Sequence, residues 1–242
     1  MFFHERIKSI KKSDKVLEVG PGNTPFYRAD VLLEKIFEDE NEALLQAGGT
    51  EKKDLKKEII YYKEDLFPFK DNEFDYVICS HVLEHIPIKD IPLFIVELNR
   101  VANRGYVEIP LYNFEFIANL KYHLNLIYID NSSTIHFLAK ESVDFSNELY
   151  RSFQDSILNI GFNVDIIPLN LEIFGNGFEF EKEIQYRIHS DFTSFYTVIK
   201  HEMQPKKVQW SKDIKYYLKK IVYQFKSNII KQKIYNRLRI VL

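Results

Sequence analysis

A short apolar run that stops abruptly at a glycine turn constrains the fold of this 242-residue chain more than any other feature. Residues 15–19 read Lys-Val-Leu-Glu-Val, and Gly20-Pro21-Gly22 follows at once. A β-branched run of this length, bounded by glycine, is typical of a buried parallel strand. Because glycine has no Cβ, a ligand can approach the backbone of such a loop closely. The segment predicts an α/β fold with a ligand loop after the first strand.

Strand-like runs and connecting segments alternate as far as Pro110. Further strands are predicted at 30–33, 59–62, 74–79 and 106–109, and the charged stretch 37–58 predicts an exposed insertion. Phe94 and Leu98 recur at helical spacing after Pro92, which predicts a helix before the last of these strands. Only about ten residues separate the first two strands, so we expect the helix between them to be reduced to a turn. This alternation predicts a mainly parallel sheet with covered faces.

Beyond Pro110 the periodicity weakens. Residues 111–137 are aromatic and have no clean period, which predicts a substrate lid inserted at about 110–140. A helix is predicted at 147–159, followed by a strand at 162–167 and a last strand at 193–199. We therefore expect one main domain over 1–205 and a separate tail over 206–242.

The charges divide the chain in the same way. Eleven of the 33 Lys and Arg residues and one acid lie in 206–242, which leaves a net charge of −12 on 1–205. The acidic body argues against nucleic acid as a partner. In the basic tail, apolar residues recur at helical steps, which predicts an amphipathic helix. Three roles remain open for this helix: docking on the body, forming a homodimer seam, or lying on an anionic membrane.

The single cysteine, Cys79, lies in an apolar run and indicates a buried thiol in a reducing compartment. The first twelve residues lack the apolar core of a signal peptide, and no run is long enough to span a membrane. We expect a cytoplasmic protein, with contact at the inner face of the membrane as an option for the tail.

The glycine loop also limits the ligand. A dinucleotide site prefers a third glycine three residues after the second, but that position is Pro25. The loop thus suits a ligand without a diphosphate, which disfavours a nicotinamide-dependent oxidoreductase.

Three motifs occur in order: VLEVGPGNTPF at 16–26, DLFPFKDNEFDYVICSHVLEHI at 65–86, and ELNRVANRGYVEIP at 97–110. In these motifs the chain resembles the class I S-adenosylmethionine-dependent methyltransferases, especially the small bacterial branch grouped with the ubiquinone and menaquinone methylases. The resemblance implies a doubly wound, mostly parallel, seven-stranded Rossmann-like sheet with an antiparallel last strand. It also implies S-adenosylmethionine as cofactor and S-adenosylhomocysteine as product. A non-catalytic binding or scaffolding protein with this fold is the alternative.

The resemblance also implies a set of cofactor-binding residues. They are Glu18, Gly20, Gly22 and Asn23 for the amino-acid end, Glu34 for the ribose hydroxyls, Asp65 with the Leu66 backbone for the adenine, and Ser80 and His81 for the methionine portion. A carboxylate can accept hydrogen bonds from an ammonium group or from two hydroxyls. Because the segment between the first two strands is short, Glu38 or Asp39 could replace Glu34.

A general base is needed mainly when the methyl acceptor is a hydroxyl, and histidine is the usual base near neutral pH. Among the candidates His81, His85, His123 and His136, we predict His123, in the aromatic insertion, as the catalytic group and His81 as the second choice. His81 and His85 are four apart, as in a metal pair, but the resemblance argues against that use and no metal is predicted. By analogy, the predicted acceptor is a sugar or a precursor of a surface or capsular polysaccharide; another small molecule is the alternative.

Overall fold

The computed structural model describes residues 3–36, 57–63, 66–159, 167 and 170–202. In these residues the strands are β1 Val16–Val19, β2 Val31–Lys35, β3 Ile59–Tyr62, β4 Tyr76–Ser80, β5 Arg104–Pro110, β6 Asn125–Ile129, β7 Ile135–Ala139, β8 Gly175–Glu181 and β9 Tyr186–His189. The α-helices are α1 Ile91–Val101, α2 Tyr112–Ala118, α3 Glu148–Asn159, α4 Leu171–Phe174 and α5 Phe192–Glu202.

The main sheet has six strands in the order β3-β2-β1-β4-β5-β8. The first five strands are parallel, and β8 pairs antiparallel with β5. This arrangement is the predicted doubly wound sheet with an antiparallel last strand. The strand predicted at 162–167 lies outside the described residues except for Ile167.

The core of the sheet follows from the apolar runs. All four residues of β1 are buried, and so are the first four of β4, because central parallel strands are covered on both faces. Helix α1 covers one face with buried side chains that include Phe94, Ile95 and Leu98. The predicted helix and strands between 59 and 110 are thus confirmed.

The connection from β1 to β2 contains turns and no helix, as its length predicts. Lys57, which precedes β3, holds this connection in place. Its Nζ donates to the carbonyl oxygens of Phe26, Tyr27 and Ala29 at 3.0, 3.1 and 2.6 Å. The Lys57 ammonium group therefore fixes the backbone of a connection that a crossover helix would otherwise fix.

The region after Pro110 is more regular than the predicted lid. Helix α2 is followed by the hairpin β6–β7, and β9 joins β7 to form a second sheet with the order β6-β7-β9. The strand predicted at 193–199 is wrong, because this segment lies in helix α5. Phe195 and Ile199 are the buried side chains of that helix, one turn apart, and the Ser194 amide donates to Asp191 at 2.8 Å as at a helix start.

The N-terminal segment 3–9 lies across the main sheet. The Phe3 amide donates to Glu108 on β5 at 2.9 Å, and the Ser9 amide and hydroxyl donate to Glu179 on β8 at 2.9 and 2.7 Å. Tyr106 of β5 also donates to Glu108, at 2.8 Å. The segment is thus attached to two strands through buried or half-buried carboxylates.

None of the described helices is long and apolar enough to cross a membrane. The predicted insertion at 37–58, apart from its last two residues, and the tail at 206–242 lie outside the described residues, as do Glu38, Asp39 and Asp65.

Candidate active site

The strand order reverses between β1 and β4, whose carboxyl ends lie side by side, with Val19 opposite Cys79. At such a point the loops after the two strands diverge and leave a crevice for a ligand. The loop after β1 begins at Gly20, and the loop after β4 begins at His81. The predicted cofactor residues at 18–23 and 80–81 therefore meet at one place.

The two glycines in the loop after β1 have different surroundings. Both have positive φ, +64° at Gly20 and +54° at Gly22, which favours glycine. A Cβ added to Gly20 would lie 2.4 Å from Val82 Cγ2, so this glycine lets the two loops touch. A Cβ added to Gly22 would meet no described atom within 4 Å, so Gly22 faces open space.

Glu18 is buried at the end of β1, with 4% of its surface exposed. One of its carboxylate oxygens accepts the Phe26 amide at 2.7 Å. Burial raises the pKa of Glu18 to about 7, partly offset by that hydrogen bond and by the charge of Lys57. Such a carboxyl gains a favourable interaction when an ammonium group approaches it.

Three further predicted cofactor residues lie in the described part of the chain. Glu34 lies near the end of β2, half-buried, and Asn23 lies half-buried in the glycine loop. Leu66 is 60% exposed.

His81 sits between two buried carboxylates. Its Nε2 is 3.0 Å from Glu108 Oε1, and its Nδ1 is 3.4 Å from Glu84 Oε1. The two carboxylates outweigh burial and raise the pKa of His81 to about 9. His81 is therefore protonated at neutral pH, and its ring nitrogens donate hydrogen bonds and do not accept them. Ser80 also donates to Glu108 Oε1, at 3.2 Å.

His123 is buried in the loop between α2 and β6, with 7% of its surface exposed. Its Nδ1 contacts Glu115 of α2 in a short hydrogen bond. Lys140 donates to the second oxygen of Glu115 at 2.8 Å and to the Leu120 carbonyl at 2.6 Å. The carboxylate orients the imidazole, and the lysine balances the charge of the carboxylate.

The loop that follows β4 contains a 3-10 turn, Leu83–His85, rather than an α-helix. His85 Nδ1 is 3.0 Å from the Tyr122 carbonyl, and its ring lies edge-on to His123 with centroids 4.8 Å apart. His81 Nε2 contacts Glu108 and His85 Nδ1 contacts the Tyr122 carbonyl, while the second nitrogen of each ring lies within 4 Å of Glu84 Oε1. The structure also brings His85 to His123.

His136, the remaining candidate base, lies in the second sheet. Its two ring nitrogens contact His189 Nε2 at 2.9 Å and Asp130 Oδ2 at 3.1 Å. Both nitrogens are thus engaged within that sheet.

The comparisons with known proteins bear on the same part of the chain. Residues 17–107 match a family model described as a methyltransferase domain. Over these residues the chain is similar to a methyltransferase domain. They run from β1 to the middle of β5 and include both loops of the crevice, and the cofactor of the domain is S-adenosylmethionine. No curated protein is a significant match to the chain.

Several solved structures resemble the chain weakly. A protein of Pyrococcus horikoshii is 22% identical over 52% of this chain and 61% of its own, with a TM-score of 0.34. A SAM-dependent methyltransferase of Methanosarcina mazei is 16% identical over 51% of this chain and 70% of its own, with a TM-score of 0.33. A Bacillus subtilis protein is 16% identical over 46% and 52%, with a TM-score of 0.32. At these scores the likenesses carry no weight for function.

Four residues that were not predicted as site residues lie around the two candidate histidines: Glu84 and Glu108 contact His81, and Glu115, held by Lys140, contacts His123. Glu115 and Lys140 lie outside the domain match and meet His123 only through the fold of α2 and the hairpin. Sequence spacing offers no signal for that contact. For Glu84, its place between two histidines was the available signal.

Proposed function

We propose that this chain methylates a hydroxyl group of a sugar or of a surface-saccharide precursor, with S-adenosylmethionine as methyl donor. The choice of S-adenosylmethionine as methyl donor rests on the match of residues 17–107 to a methyltransferase domain. The hydroxyl part rests on one observation, the buried contact between His123 and Glu115 beside the loop after β4. An imidazole oriented by a carboxylate is the arrangement that activates a hydroxyl.

The residues of the crevice have separate tasks in this proposal. Bound S-adenosylmethionine supplies a methyl group on a sulfonium, and positioning of the acceptor in line with it provides much of the rate. Glu115 holds His123 through Nδ1, which leaves Nε2 to act on the acceptor hydroxyl. Lys140 keeps Glu115 in place from the other side.

The loop after β1 suits the amino-acid end of the cofactor. The buried Glu18 carboxylate can accept hydrogen bonds from an ammonium group, and the open space at Gly22 leaves room for the ligand beside the backbone. His81 and Ser80, both hydrogen-bonded to Glu108, border the crevice from the β4 side.

Calorimetry with S-adenosylhomocysteine and with NAD tests the donor. We expect heat from S-adenosylhomocysteine only. Glu18→Gln should weaken this binding by about tenfold or more, because a charge-assisted hydrogen bond is worth about 1.5–3 kcal/mol. Glu141→Gln, at an exposed acid of a 3-10 turn, is the matched control and should bind like the wild type. An absence of heat with S-adenosylhomocysteine would overturn the proposal.

The acceptor needs its own test. The chain is incubated with S-adenosylmethionine and a panel of nucleotide-sugars, capsule precursors and a quinone precursor, and the methyl group of each product is located. Methylation of a saccharide hydroxyl supports the proposal. Turnover of the quinone precursor alone would replace the saccharide by the acceptor of the branch that the motifs resemble.

A further inference from the structure

Three metal-ligating side chains meet beside the crevice. Glu84 and His85 come from the 3-10 turn after β4, and His123 comes from the loop before β6. Each offers one ligand atom, and these atoms all lie within 4.8 Å of one another. Ligands about 2.1 Å from a tetrahedral ion are about 3.4 Å apart, so a cation would draw the three atoms together by about 1 Å.

In the described part of the chain, each imidazole has one nitrogen that makes no hydrogen bond. His85 Nδ1 donates to the Tyr122 carbonyl at 3.0 Å, and His123 Nδ1 contacts Glu115. In each ring the Nε2 atom remains for a cation. Metal-bound histidines usually have this kind of second partner, a carbonyl or a carboxylate, which fixes the ring and its tautomer.

Glu84 provides the independent observation. Only 1% of its surface is exposed, and neither of its carboxylate oxygens accepts a hydrogen bond from the described residues. His81 Nδ1 and His85 Nε2 lie 3.4 and 3.9 Å from Glu84 Oε1, so imidazoles face the carboxylate without a well-oriented hydrogen bond to it. A buried carboxylate without hydrogen bonds is costly, and a cation in the space between the three side chains would satisfy it.

The backbone holds the two contributing segments together. The Leu124 amide donates to the Glu84 carbonyl at 2.7 Å, and the Asn125 side chain donates to the carbonyls of Leu83 and Ile86 at 3.1 and 2.7 Å. These bonds join the residues flanking His123 to both sides of the turn. The ligand set is thus arranged by contacts other than its own.

We propose that Glu84, His85 and His123 bind one divalent transition-metal ion, for which Zn²⁺ is the best fit. Two imidazoles and one carboxylate are a donor set that suits Zn²⁺, and three protein ligands leave a coordination position open. This inference deepens the proposed function and rests on it in one respect: the open position is where the acceptor hydroxyl binds. With zinc on its Nε2, His123 holds the cation, and the cation takes over the activation of the hydroxyl that the free imidazole would otherwise perform.

The cation accounts for loss of the hydroxyl proton. A coordinated hydroxyl has a lowered pKa, so its proton passes to water as the oxygen attacks. The oxygen forms a bond to the methyl carbon, the carbon–sulfur bond breaks, and its electron pair stays on sulfur. The products are the methyl ether and S-adenosylhomocysteine.

The rival role for Glu84 is that of a counter-charge to His81, whose Nδ1 lies 3.4 Å from Glu84 Oε1. In that case the full chain would have no affinity for zinc at this place. The two roles therefore differ in a binding measurement that needs no activity.

The experiment is a zinc titration of the chelator-treated full chain, followed by metal analysis after gel filtration. We expect one Zn²⁺ per chain, and a Co²⁺ spectrum of low coordination number when cobalt replaces it. Glu84→Gln and His123→Gln should each weaken zinc binding at least tenfold. Glu115→Gln, which removes the partner of a ligand, should weaken it about 10- to 100-fold. His4→Gln, at a 71% exposed side chain, should leave it unchanged.

X-ray absorption of the zinc-loaded wild type makes the test independent of how the variants fold. Two imidazoles in the ligand shell support the site. The proposed site would be overturned if the wild type binds no zinc, or if the Glu84 and His123 variants bind zinc as tightly as the wild type does. A chain that transfers methyl groups without binding zinc refutes only this inference, whereas a chain that binds zinc but transfers no methyl group refutes only the proposed function.

Discussion

The glycines at positions 20 and 22 have similar φ but unlike surroundings, and they provide a matched pair. We expect Gly20→Ala to destabilise the chain more than Gly22→Ala. Both variants pay roughly 1–2 kcal/mol for a positive φ, but only the Gly20 variant drives a Cβ into Val82. Overpacking adds about 1–3 kcal/mol, measurable by urea unfolding. Equal midpoints for the two variants would contradict the close approach of the two loops.

Glu18 makes the stability of the ligand-free chain depend on pH. Its pKa is about 7 in the fold and near 4.5 when exposed, so the folded state holds the extra proton between these values. Its contribution to stability therefore falls as pH rises from about 4.5 to 7, by up to about 3 kcal/mol.

Glu18→Gln, which does not titrate, should lose this fall, while Glu141→Gln should keep it. Urea unfolding at pH 5 and pH 8 measures the difference. An unchanged pH dependence in Glu18→Gln would show that the Glu18 carboxyl titrates normally.

Among the elements, the hairpin β6–β7 is attached to the turn after β4 by the Asn125 side chain as well as by the backbone hydrogen bond of Leu124. Asn125 is 1% exposed, and its amide nitrogen donates to two buried carbonyls of that turn. Asn125→Ala should lower the free energy of unfolding by about 1–3 kcal/mol, since both carbonyls lose their donor. Asn131→Ala, at an exposed hairpin residue, should have little effect in the same thermal unfolding measurement.

The helices and strands also show how much of the fold can be predicted from the sequence. The five parallel strands of the main sheet were predictable because buried parallel strands are nearly continuous apolar runs between glycine and polar residues, whereas the antiparallel strand β8 was missed. Helix α5 was predicted as a strand because its Phe, Tyr, Thr, Val and Ile residues favour strands locally. The segment is a helix because this conformation buries Phe195 and Ile199, one turn apart. The hydrogen bond from the Ser194 amide to Asp191 stabilises the start of the helix.

The crevice was predictable only in part, for a related reason. Glu18 lies in β1, and Gly20 and His81 directly follow β1 and β4, so their proximity follows from the parallel order of two predictable strands. Glu115, His123 and Lys140 come from a helix, a loop and the 3-10 turn after β7, and no spacing links them. Their contact is a product of packing alone.

At the scale of the whole molecule, the uneven distribution of charge provides a test of whether the tail binds a membrane. With a net charge of −12 on 1–205 and a basic tail, we predict that the full chain floats with vesicles of anionic lipid if the tail lies on a membrane. A chain that ends at residue 205 should stay in solution. If both chains stay in solution, the membrane role fails, and sedimentation then tests the homodimer seam.

The N-terminal segment gives the molecule a long-range link to its crevice. Glu108 accepts the Phe3 amide with one oxygen and faces Ser80 and His81 with the other. Any ligand that redistributes charge around His81 must also change the hydrogen bond at Phe3. The resonance of a single ¹⁵N-labelled backbone amide at Phe3 is therefore a built-in probe of crevice occupancy, readable by NMR without labelling the ligand.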